Sequence, residues 1–323
     1  MNESLSQPRA ELSYRQYQPG DERDILELFE KSFGRKLSID YWRWRFAENP
    51  AGPAVIYLAW AGNVLAAHYA VSLVTLHVGG HDVTTALSGT TMTHPDYRGL
   101  GLFPVLARLT YQEMARREMA LVWGFPNANS HRGFIQDLDW KDICEIPTMR
   151  VTISGRVMTD PSPGVSEITD IDSARFDRLW QAVSARESVL VKRDAQYLKW
   201  RFSANPSEKY RVVACMEGDS LRGYAIFKRY KDELQIVDLL VEQPDIAQQL
   251  AYGIGKIGRE ESAATISLWM PMASPVHRSL EKVGFQNDAL VTYFGGLILG
   301  DLVPALIYSP FSWYYSMSDS DVY

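Results

Sequence analysis

The sequence predicts an α/β protein made of two similar halves, each a mixed sheet flanked by helices. Three observations lead there. A ten-residue motif occurs twice, as YWRWRFAENP (41–50) and YLKWRFSANP (197–206), with Trp44 answering Trp200 and Arg45 answering Arg201. In each half, β-prone runs alternate with helical periodicities. In the first half, a strand runs through Arg98-Gly99-Leu100-Gly101 into a helix that opens at Leu102-Phe103-Pro104.

The elements follow in order. "GDERDILELFEKSFG" places Ile25, Leu28, Phe29 and Phe33 on one helical stripe, and "DSARFDRLWQAVSAR" does the same with Phe176, Leu179, Trp180 and Val183. "AVIYLAW" and "VLAAHYAVSLVTLHV" flank a Gly62-Asn63 turn and predict a hairpin. "GGHD" (79–82) turns into the strand that ends at the glycine run, "RLTYQEMARRE" continues the following helix, "ALVWGF" is the next strand, and "SHRGFIQDLDW" is a short last helix. Pro126, just before that stretch, and Trp140 at its end answer Pro271 and Phe285 in the second half. "MTDPSPGVSE" reads as a connector. The expected division is therefore 1–157, a linker at 158–166, and 167–323. In the repeated motif, Trp44 and Phe46 are expected to pack in the core or between halves, with Asn49-Pro50 as a helix stop.

A chain of 323 residues is long for one compact core and natural for two domains. With 46% hydrophobic and 22% charged residues, the composition is globular and leaves no case for extensive disorder. The net charge of −6 argues against a nucleic-acid partner, which calls for a basic face. Cys144 and Cys215 lie in no CxxC and have no histidine at ligand spacing, so free thiols in a reducing compartment and no metal are expected. The N-terminus lacks the apolar core of a signal peptide, and the late apolar stretch is broken by Asp301, Pro304 and Pro310. A cytoplasmic protein with no membrane partner is the expectation.

The run 91–103, TMTHPDYRGLGLF, carries the chemistry. A glycine-rich turn into a helix gathers main-chain N–H groups where the helix dipole is positive, which suits a pyrophosphate. Gly99 and Gly101 admit close approach, and Arg98 adds a cation. No Gly-Lys-Ser/Thr follows, so this is not a P-loop, and Phe103 stands where a dinucleotide fingerprint needs its third glycine. The loop resembles the acyl-CoA pyrophosphate loop of the GNAT N-acetyltransferase superfamily. The order of segments is similar to the GNAT fold in both halves, and the chain looks like the tandem GNAT proteins often associated with amino-sugar and polysaccharide pathways. The second half departs from the pattern. After "LQIVDLLV" comes "EQPDIAQQLAYGIGKIGRE", with no Arg-Gly-x-Gly, and Glu242 and Asp245 would repel a pyrophosphate. The resemblance thus implies one acyl-CoA-binding GNAT domain and one degenerate copy.

By the same resemblance, acetyl-CoA is the co-substrate and a small amine, such as an amino sugar, the acceptor. Thr91, Met92 and Thr93 would offer main-chain groups to the pantetheine arm. Arg98, Gly99, Leu100, Gly101, Leu102 and Phe103 would hold the pyrophosphate, and Asn127 and Asn129 would reach the arm. The asparagines equally fit turn formation and helix capping. The superfamily's frequent tyrosine acid and glutamate base are not evident, since Phe134 and Ile135 stand near the first position and "TTALSGTTMT" holds no carboxylate. Three substitutes present themselves. His131 could act near neutral pH, against a plainer reading as an exposed helix-start histidine. His68 could line the acceptor cleft, against a plainer reading as a hydrogen-bonded sheet residue. Asp321, in the tail Trp313–Tyr323, could insert between the halves and bind an amine, against a plainer reading as a solvated, frayed end. Direct attack of the amine on the thioester is expected. Two other readings are a transferase fed by aminoacyl-tRNA, disfavoured by the intact loop and the acidic balance, and a non-catalytic CoA-binding module.

Overall fold

The computed structural model describes residues 11–153 and 164–323, so residues 158–163 of the expected linker lie outside it. The amphipathic stripes form helices as their spacing requires. α1 (Glu22–Phe33) buries Ile25, Leu28 and Phe29 and stops at Gly34 in the left-handed conformation. α2 (Ile39–Phe46) starts at Ser38, whose side chain accepts from the Tyr41 amide. The first half continues with β1 (Leu12–Gln16) beside the hairpin β2 (Val55–Ala61) and β3 (Val64–Val78), then β4 (His81–Thr93), α3 (Leu102–Arg116), β5 (Leu121–Gly124), α4 (Ala128–Leu138) and β6 (Lys141–Thr152).

The second half repeats this order. It comprises β7 (Val165–Ile168), α5 (Ser173–Ser184), a short β8 (Val189–Val191), α6 (Ala195–Leu198), β9 (Arg211–Glu217), β10 (Ser220–Tyr230), β11 (Glu233–Val241), α7 (Pro244–Glu260), β12 (Thr265–Leu268), α8 (Pro275–Glu281) and β13 (Gln286–Ile298), with a two-residue β14 (Trp313–Tyr314). α6 carries the second copy of the motif and runs on through a π-helical turn at Lys199–Ser203. Val165 and Ser166, inside the expected linker, already belong to β7.

The sheet is continuous across both halves, in the order β1-β2-β3-β4-β5-β13-β6-β12-β11-β10-β9-β7. Each half supplies five of its own strands and receives the sixth from the other. β13 pairs with β5 of the first half, β6 pairs with β12 of the second, and β6 and β13 pair with each other at the centre. The division at 157 is thus a division of the chain and not of the sheet. Nothing in local periodicity distinguishes a strand that stays home from one that crosses over, because both bury the same faces.

The motif copies meet at the junction. Trp44 donates Nε1–H to the Trp200 carbonyl (2.8 Å), Trp200 returns the bond to the Trp44 carbonyl (3.1 Å), and the rings stack at 5.0 Å. This reciprocity relates the halves about an approximate two-fold. Nearby, Trp123, Phe294 and Trp313 form one aromatic cluster, with centroids 4.8 to 6.1 Å apart, that binds strands of both halves to the tail.

The tail corrects the plainer expectation. Ser316 to Ser320 are buried, not frayed. Arg193, fully buried, donates Nε–H to Asp238 (2.9 Å) and Nη2–H to Asp319 (2.7 Å), while the Ser316 hydroxyl donates to Asp238 (2.8 Å). One guanidinium therefore fastens the tail to β11. Burial pushes the Asp319 carboxyl up, with the Arg193 charge opposing that rise.

Candidate functional site

The site begins with a defect in β4. β4 pairs in parallel with β5 only at Ala86–Val122 and Leu87–Trp123, and beyond Leu87 the two strands separate. The register with β3 slips between His68 and Ala70, and Thr90 takes φ 57°, which marks a bulge. His68 Nδ1 lies 2.8 Å from the Thr90 carbonyl, so it is the protonated nitrogen and the imidazole holds the bulge. Burial drives the His68 pKa down to about 4, which keeps the ring neutral at pH 7. The separation leaves Thr91, Met92 and Thr93 along the stretch where β4 has left β5. The Met92 side chain packs into the core formed with α1 and α2, so its main chain is what can face a ligand.

The chain then makes a single 3₁₀ turn at Pro95–Tyr97 and enters the glycine run. Gly99 and Gly101 hold φ 77° and 69°, left-handed values that side chains with a Cβ rarely adopt. The amides of Gly99, Leu100 and Gly101 donate to nothing among the described residues, and no side chain caps α3, which Gly101 precedes directly. Free N–H groups at a helix N-terminus are an anion seat. Leu102 and Phe103 are anchored from below. Leu102 is buried, and Phe103 lies against Tyr69 (5.9 Å) and edge-on to Phe134 (5.0 Å), so both would contribute amides only.

The remaining candidates separate clearly. Asn127 is the N-cap of α4, its Oδ1 accepting from the Asn129 and Ser130 amides, while the Asn129 side chain is exposed. His131 is not a free helix-start histidine. It stacks flat on Tyr293 at 3.7 Å and its Nε2 bonds Asp142 (2.8 Å). Asp321 stands beside β4, with its Oδ2 3.0 Å from the point a Cβ on Gly89 would occupy.

Two features escaped the sequence reading. Under β4, the Ser88, Tyr69 and Tyr111 hydroxyls form a buried chain (2.8 and 2.9 Å) that Trp140 Nε1–H closes (3.0 Å). Burial raises Tyr69 to about 12. Only the packing of α3 on β3 brings the Tyr69 and Tyr111 hydroxyls together. The second feature is Arg45. It is 5% exposed, its Nε and Nη2 have no hydrogen-bond partner, and Nη2 lies 3.3 Å from the same Gly89 point. A buried ion left unmatched carries a penalty on the order of several kcal/mol.

The corresponding junction of the second half is closed. Only Glu242 and Gln243 separate β11 from α7, and Pro244 at the first helical position removes an amide. Glu242 pairs with Arg222 at 2.9 Å. Among the described residues, no group of three or more His, Cys, Asp or Glu side chains is placed to hold a metal ion, and no helix is long and apolar enough to cross a membrane.

Residues 13–142 match the family model of the acetyltransferase (GNAT) domain, so the first half of the chain contains a GNAT acetyltransferase domain. No curated protein matches the sequence. Among solved structures, the chain is similar to a conserved Enterococcus faecalis V583 protein described as a probable N-acyltransferase. The identity is 13% and the TM-score 0.72, over 90% of this chain and 73% of that one. A GCN5-related N-acetyltransferase from Anabaena variabilis is similar at 14% identity and TM-score 0.71, with the same two coverages. Saccharomyces cerevisiae N-myristoyltransferase with bound myristoyl-CoA is similar at 10% identity and TM-score 0.62, over 94% of this chain and 87% of that one. At these identities the likeness is one of fold, and it extends through both halves.

Proposed function

We propose that the chain is an acyl-CoA-dependent N-acyltransferase, with acetyl as the acyl group, built from a catalytic GNAT domain (1–157) and a degenerate GNAT copy (167–323) that closes the acceptor side. The observation that carries this reading is the trio of unpartnered amides at Gly99, Leu100 and Gly101, directly before an uncapped helix and next to a strand edge released from its neighbour. Those amides and Arg98 suit a diphosphate, and the main chain of Thr91–Thr93 suits the amides of a pantetheine arm. When bound, acyl-CoA supplies the thioester carbonyl that the amine attacks.

The chain's own part is to orient, neutralise and protonate. An amine must shed a proton before it attacks. Asp321 is favoured as the acceptor of that proton because its carboxylate stands against β4 at Gly89. His131 is already committed to Asp142 and Tyr293, and His68, near pKa 4, is a poor base locked to the bulge. We assign the proton for the departing sulfur to the Ser88–Tyr69–Tyr111 hydroxyl chain, which reaches β4 from its other face.

Thiol release from acetyl-CoA, measured across a panel of amines, tests the reading. Amine-dependent release, reduced at least tenfold in Asp321→Asn, is expected. Stabilisation by acetyl-CoA without release on any amine would make the chain a coenzyme-binding module.

A further inference from the structure

The repeated motif places two arginines in related positions, and they meet different fates. Arg201, 4% exposed, donates Nε–H and Nη2–H to the Ser318 carbonyl (3.4 and 3.3 Å) and Nη2–H to the Tyr323 main-chain oxygen. It therefore grips two main-chain oxygens of the tail, one in the 3₁₀ turn at Met317–Asp319 and one at Tyr323. Arg45 is buried to the same degree in the first half, and there Nε and Nη2 have no partner.

The strand beside each arginine differs in step. β4 leaves β5 after Leu87 and β11 leaves β12 after Ile236, so Gly89 and Asp238 each stand two residues past the separation. The second half thus carries a carboxylate of its own at this position, whereas the first half carries no side chain. Over Gly89 the Arg45 Nη2 and the Asp321 Oδ2 converge, at 3.3 and 3.0 Å from the Cβ point, yet no ion pair joins them among the described residues. A cation with free donors and an anion that converge on one residue of a released strand match a molecule that carries both opposite charges.

We infer that Arg45 binds a carboxylate of the acceptor, and that the acceptor is an amino acid or a peptide-like amine whose ammonium lies toward Asp321. This inference rests on the acyltransferase reading and narrows it. Arg45 would take from the substrate the oxygens that Arg201 takes from the tail. An amino sugar, with no carboxylate, leaves Arg45 unmatched and is a poor acceptor.

The test compares α-amino acids with their amides, and glucosamine as an amine without a carboxylate, in the full chain with acetyl-CoA. The N-acetyl amino acids and their amides serve as binding probes, read by thermal stabilisation in the presence of coenzyme A. The acids should exceed the amides at least tenfold in kcat/KM or in apparent affinity, and Arg45→Met should erase that preference while keeping its thermal response to acetyl-CoA. Arg45→Met should also unfold no more easily than the parent, because it removes an unmatched buried ion, whereas Arg201→Met should lose stability. The inference falls if neither turnover nor stabilisation depends on the carboxylate. It falls equally if Arg45→Met is strongly destabilised, which would make the arginine a structural partner of Asp321. A parent that shows no stabilisation by acetyl-CoA at all would instead refute the acyltransferase reading.

Discussion

The two strand–helix junctions are variations on one plan. After β4 the chain spends residues 94–101 on a turn and two left-handed glycines, and three amides are left without partners. After β11 it enters the helix within two residues, through a proline, beside a glutamate already paired. The tail completes the contrast, since Asp319 and the Ser318 carbonyl satisfy Arg193 and Arg201 on the second half, while Arg45 on the first half is left over. The comparison teaches that a fold makes a site by leaving polar groups unsatisfied, and makes a scaffold by satisfying them from within.

The largest effect should come from breaking the closed half. Arg193→Met leaves Asp238 and Asp319 buried without their cation and should cost about 3–5 kcal/mol, read by urea unfolding. A loss below about 1 kcal/mol would show that the tail is not fastened there. Next is the open half. Acetyl-CoA at a hundred times its dissociation constant should stabilise the parent by about 2.7 kcal/mol, and Gly101→Val with Arg98→Ala should abolish the response, at a cost of about 1–2 kcal/mol to the unliganded fold for the strained valine. An unchanged response would move the coenzyme elsewhere.

The bulge that opens β4 has its own signature. His68 is held near pKa 4 in the folded chain against 6.5 in the reference state. The unfolded chain therefore takes up its proton first, and stability falls as pH drops from about 6.5 to about 4. Between pH 7 and pH 5 the loss should be about 2 kcal/mol. Denaturation of His68→Gln should show that part of the pH slope removed; an unaltered slope would contradict the burial argument. The smallest effect sharpens the two-fold itself. Trp44→Phe keeps the stack on Trp200 but deletes one of the two reciprocal bonds, costing about 1 kcal/mol, and Trp200→Phe should cost a similar amount. Markedly unequal losses would mean that the halves do not share the contact evenly.

Much was readable in advance where the cause is local. The stripe of Ile25, Leu28 and Phe29 became a buried helix face, while Phe33, placed on the same stripe, stays 49% exposed at the end of α1; the Phe176–Val183 stripe is buried, and the Gly62-Asn63 turn became the β2–β3 hairpin. Asn127 forms the helix cap that was one of its two foreseen options. Burial of the tail was only one of its two foreseen options, and the partners of His131 were not foreseen. Each is held by partners more than ten residues away, or from the other half, and no neighbouring residue announces them.

The residues alone determined the repeat, the alternation of strands and helices, and the left-handed glycines before α3, because periodicity and backbone conformation are set within a few positions. Only the folded chain decided that β6 and β13 would change places, that the tail would be buried, and that Arg45 Nε and Nη2 would stand without a hydrogen-bond partner. Those outcomes depend on which distant groups compete for the same buried space, and desolvation is a property of the whole packing, written in no single segment.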